Sequence, residues 1–180
     1  MKGYLMSTGK YSPAIRITTI IWLAFMIANF SYLSIAYSIT KHRDADLFII
    51  HIPEQLSILF LALCGVSVIG IIIGFIIRSK LPAAFLQARN TAALPMAGSA
   101  KMQKMDPEAR TTAIHAQTIS IVLFAFFESV GIYGLLLVMM GCTFFTMVPF
   151  VLISLTCLFF ARPTEAFFDR VGERLRELNL

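Results

Sequence analysis

Apolar residues in this chain gather into four long blocks, with charged and turn-forming residues confined to the segments between them. About 20 consecutive apolar residues in a helix cross the ~30 Å hydrocarbon core of a bilayer. The blocks cover roughly residues 17–39, 56–77, 113–140 and 144–161, and each is read as a transmembrane helix. The first follows Lys2, Lys10 and Arg16 and contains the small-x-small triplet Ser34-Ile35-Ala36. A signal-peptide apolar region is only about 7–15 residues long, so this longer block is expected to be a retained span. Asn29 and Ser31 are its interior polar residues, of the kind that hydrogen-bond a neighbouring helix in lipid. In the second block Gly70 and Gly74 form a GxxxG spacing with Ser67 on the same face, a pattern that lets another helix approach closely. The fourth block is short, and Pro149 near its start is expected to kink or begin the helix.

The intervening segments give the arrangement of the spans. Residues 78–112 form a basic connection punctuated by Pro82, Pro95, Gly98 and Pro107, and 141–143 (Gly-Cys-Thr) a tight turn. In the tail, 163–180, Thr164 can cap a helix whose Phe167, Phe168, Val171, Leu175 and Leu178 share one face. Such a helix either lies on the membrane surface or packs on the chain's own loop. Lys and Arg concentrate in the N-terminal segment, the 78–112 connection and the tail, while the 40–55 loop has only Lys41 and Arg43. The positive-inside rule then puts both termini and the long connection in the cytoplasm. The expected fold is an all-α integral membrane protein: a four-helix transmembrane domain over 1–162 and a cytoplasmic amphipathic tail helix over 163–180.

Composition sharpens this. The chain is 58% hydrophobic and 14% charged, with a net charge of +5. The positive residues flank the apolar blocks and form no basic face with stacking aromatics, so nucleic acid is not an expected partner. Cys64, Cys142 and Cys157 lie within or beside apolar blocks, with no CxxC pair, and read as buried free thiols. His42, Asp44, Asp46, His51 and Glu54 could ligate a divalent metal, but their loose spacing reads as a solvated loop. His115, where the third span meets the cytoplasmic side, reads as an interfacial histidine. No nucleophile–base pair, cofactor box or metal-ligand motif is present, so neither enzyme activity nor a cofactor is expected.

One residue breaks the apolar pattern. Glu128 stands at the middle of the third span, ~20 Å from either end at ~1.5 Å per residue. An ionised side chain there costs at least ~2.5–3.5 kcal/mol against lipid. No Lys, Arg or His lies within the core of another span. Glu128 is therefore expected to carry a proton and to meet water from time to time. It then either binds and releases a proton or small cation, or donates a structural hydrogen bond to Asn29, Ser31, Ser67 or Tyr133.

The segment 123–141, "LFAFFESVGIYGLLLVMMG", resembles the second helix of the ATP synthase c subunit and its vacuolar-type relatives, with Glu128, Ile132, Tyr133, Gly134 and Leu135 at the matching positions. The second span, the basic connection and the third span repeat the order of that hairpin. The resemblance implies that Glu128, with Tyr133, forms an ion-binding site for protons or sodium, and that the hairpins pack together as a ring. The implied partners are the lipid bilayer and further copies or other membrane subunits, in the plasma (bacterial inner) membrane. The alternative is a non-catalytic accessory subunit in which Glu128 is a buried hydrogen bond.

Overall fold

The computed structural model describes residues 11–43, 50, 52–80 and 106–178, and the described residues are helical with no strand. Helix α1 spans Ser12–His42, α2 Ser57–Lys80, α3 Pro107–Met139, α4 Phe144–Phe160 and α5 Glu165–Glu177. A 3-10 turn, Glu54–Leu56, leads into α2. Asp44, Asp46, His51 and residues 81–105 of the polar connection lie outside the described residues. The helices α1, α3 and, with its leading turn, α2 are each long and apolar enough to cross a membrane. The 17-residue α4 bends by 68° into α5, and this pair brings the number of candidate spans to four.

The ends of the helices have local causes. Pro107 opens α3 at a position where no backbone N–H is needed. At the other end, Gly141 takes φ +118°, and the amides of Gly141 and Cys142 return to the carbonyls of Val138 and Leu137. That is the glycine-dependent C-terminal motif that satisfies the last carbonyls of a helix, and it makes the tight turn into α4. Pro149 lies inside α4 and does not begin it. Thr164 occupies the N-cap of α5, but its side chain makes no capping hydrogen bond; its carbonyl accepts from Phe167 and Phe168 instead.

Helix α3 is the centre of the bundle and packs on all four other helices, whereas α2 packs chiefly on α3. Ala109, Ala113 and Ala116 repeat along one side of α3 and are fully or almost fully buried, so their small side chains let neighbouring helices come close. They share a core with Tyr11, Phe124 and Phe127 and with Phe167, Phe168 and Val171 of α5. The apolar face of the tail helix is thus spent on α3 of the bundle, and neither on the membrane surface nor on a loop, the two expected placements. Long apolar faces of α1 and α2 remain open, with Ile20 67% and Ile58 81% exposed, as for helices bathed in lipid.

Two arginines join helix ends. The Arg43 guanidinium donates to the carbonyls of Val138 (2.8 Å) and Met139 (2.9 Å), the end of α3. Arg78 donates to those of Ala161 (3.1 Å) and Arg162 (3.2 Å), the end of α4, and lies over the Phe167 ring. A cation at a helix C-terminus meets both the unpaired carbonyls and the negative end of the dipole.

Candidate functional site at the α1–α3 seam

Helices α1 and α3 run side by side in the same direction. The Gln117 amide donates to Ala14 O at 3.1 Å near the start of both, and Asn29 lies against Gly131 further along. Helical side chains lean toward the N-terminus. Tyr32, one turn beyond Asn29, therefore reaches back down the seam to Glu128. Its hydroxyl donates to Glu128 Oε1 at 2.6 Å, and both side chains are half-buried. Phe124 and Phe127 point into the core while Ala125 and Phe126 point outward, which leaves Glu128 on the margin between the packed and open sides of α3. Among the described residues Glu128 has no cationic partner and no second hydrogen bond.

A second polar group lies one turn on. The Asn29 amide donates to Phe25 O at 3.0 Å, which turns its Oδ1 away. That oxygen and the Ser154 hydroxyl of α4 are both fully buried and lack a hydrogen-bond partner. They lie 2.4 and 3.6 Å from the point that a Cβ on Gly131 would occupy. A side chain on residue 131 would force the Asn29 amide to shift, so glycine leaves this convergence in place. A phenol, a carboxyl, an amide and a hydroxyl thus come from three helices at the level of the apolar stretch.

The expected partners of Glu128 are placed elsewhere. Ser31 and Ser67 donate to Ile27 O and Leu63 O of their own helices, as helical serines often do. Tyr133 packs beside Val130, Leu137 and Phe150 with Phe60 and Cys64 of α2. It stands five residues and about 140° round the helix from Glu128, so the two are not brought together. Of the packing residues, Gly74 meets α3, since a Cβ there would come 2.6 Å from the Phe127 ring. Ser67 is buried, and Gly70 faces open space. His115 is buried, with Nδ1 3.0 Å from Thr111 O and Nε2 unpartnered. The three cysteines are free thiols, Cys142 and Cys157 buried and Cys64 half-buried. No cluster of three metal-ligating side chains occurs among the described residues.

Sequence reading missed Tyr32, Ser154 and Gly131. The only signal for Tyr32 was its place one turn after Asn29, on the same face of α1. Comparison with protein-family models, curated proteins and solved structures gives no match for this chain.

Proposed function

We propose that this chain is an ion-carrying membrane protein in which Glu128 binds and releases protons, or sodium ions, in the manner that its likeness to the ATP synthase c subunit implies. The supporting observation is the Tyr32–Glu128 hydrogen bond of 2.6 Å on a carboxyl that is neither sealed in the core nor paired with a cation. A carboxyl held by one phenol keeps its second oxygen free to exchange a proton. In this reading both termini face the cytoplasm across the plasma membrane, following the Lys and Arg distribution, and the open faces of α1 and α2 meet lipid, further copies or other membrane subunits. The second reading is an accessory subunit in which the same bond clamps α1 to α3; its support is that the bond crosses between two helices.

Labelling of the purified protein by a hydrophobic carbodiimide, mapped by mass spectrometry across pH with and without sodium, separates the two. The reagent modifies protonated carboxyls reachable from lipid. Ion carriage requires modification of Glu128 that fades as pH rises or is blocked by sodium. Silence at Glu128 in folded protein leaves the clamp. Glu128→Gln gives a second readout: it keeps the hydrogen bond and removes the titration, so transport is lost while folding is retained.

A further inference from the structure

The lipid-facing surface of α2 ends in a cationic recess. Ile72 and Ile76 are 53% and 45% exposed, and the apolar run stops at Ile77, followed by Arg78, Ser79 and Lys80. Between this end and α5 a cavity of about 430 Å³ is lined by Ser79, Lys80, Arg170, Glu173, Arg174 and Glu177. Its charges are unevenly matched. Arg174 and Glu177 pair with each other at 2.6 Å. Lys80 and Arg170 have no ion pair among the described residues. Glu173 is the remaining acid, and Arg78 stands behind the recess, engaged with the end of α4.

We propose that this recess binds the phosphate of an anionic phospholipid, with Lys80 and Arg170 as its principal contacts and the acyl chains laid along Ile72 and Ile76. Position favours a lipid over a free anion. The cations sit where an apolar helix face gives way to polar residues, the level of the headgroups, and the exposed isoleucines continue directly from the recess. A basic group at that level attracts anionic lipid by about fivefold per Lys or Arg. This inference needs only the membrane-spanning character of α2 and is independent of ion carriage by Glu128.

The test is native mass spectrometry of the full-length protein released from mixed phosphatidylglycerol–phosphatidylcholine micelles. The expected result is preferential retention of phosphatidylglycerol, reduced about fivefold by Lys80→Gln or Arg170→Gln and about 25-fold by both. Glu173→Gln increases it. Circular dichroism confirms that each variant is folded. Equal retention of the two lipids, or unchanged retention in the folded double variant, overturns the proposal. So does displacement of the lipid by millimolar inorganic phosphate, which identifies a site for free anions.

Discussion

Tyr32 and Glu128 form the only hydrogen bond between the side chains of two different spans among the described residues with printed partners. Most other hydroxyls in the spans bond backward to their own helix, as Thr18, Ser38 and Thr156 do. Removing the phenol oxygen while keeping the ring isolates that bond. Tyr32→Phe is expected to lower stability by about 1 kcal/mol, read as a lower thermal midpoint in detergent, and to speed carbodiimide labelling of Glu128 by freeing Oε1. Unchanged labelling would mean that the bond does not limit access to the carboxyl. Glu128 was legible in the sequence because a lone acid in an apolar run is costly wherever it points. Its partner was not, because reach depends on the relative height of two helices. Asn29 and Tyr32 share a face of α1, and only the offset between α1 and α3 decides which of them meets Glu128.

Among the helices, glycines that look alike in sequence do different work. Gly70 and Gly74 belong to one GxxxG pair, yet Gly74 lies against the buried Phe127 ring while nothing comes within 4 Å of Gly70. Gly134, which the sequence offered only as part of the family likeness, has no room for a side chain against α4. A Cβ there would meet Phe150 Cβ at 2.8 Å and the Met147 carbonyl at 3.3 Å. Phe150 Cβ is bonded directly to the backbone and cannot swing aside as the far end of a side chain can. Gly134→Ala is therefore expected to destabilise the bundle by about 1–3 kcal/mol. Gly70→Ala is expected to be neutral or to stabilise by up to about 1 kcal/mol, since alanine favours the helix. Thermal unfolding of the two variants in the same detergent checks the contrast. A loss at Gly70 as large as that at Gly134 would show that a partner helix, from another copy or subunit, covers α2. Spacing revealed that small residues matter in the spans; which of them touch was fixed by the placement of α3 at the centre.

For the molecule as a whole, the tail decides how the bundle is closed. Sequence patterning identified α5 and its apolar face, since a 3.6-residue period survives without a partner. It left open whether lipid or protein takes that face, because amphipathicity records only that something apolar is opposite. The alanines of α3 answer the question: Ala109 and Ala113 leave room beside the helix, and Phe167 and Phe168 are fully buried with them. The bond between Arg176 Nε and Glu108 Oε1, at 2.6 Å, joins α5 to the start of α3, although an exposed pair of this kind adds little. Aromatic burial therefore dominates the docking of α5. Phe168→Ala is expected to cost about 3–5 kcal/mol, the range for removing a buried phenylalanine side chain. Trp22 is the sole tryptophan and packs against the same core, so its fluorescence on heating reports the loss. For a surface-lying helix the same truncation leaves the bundle's midpoint in place. A lowered midpoint assigns α5 to the core of the protein. An unchanged midpoint would detach it and, with it, remove one wall of the cationic recess.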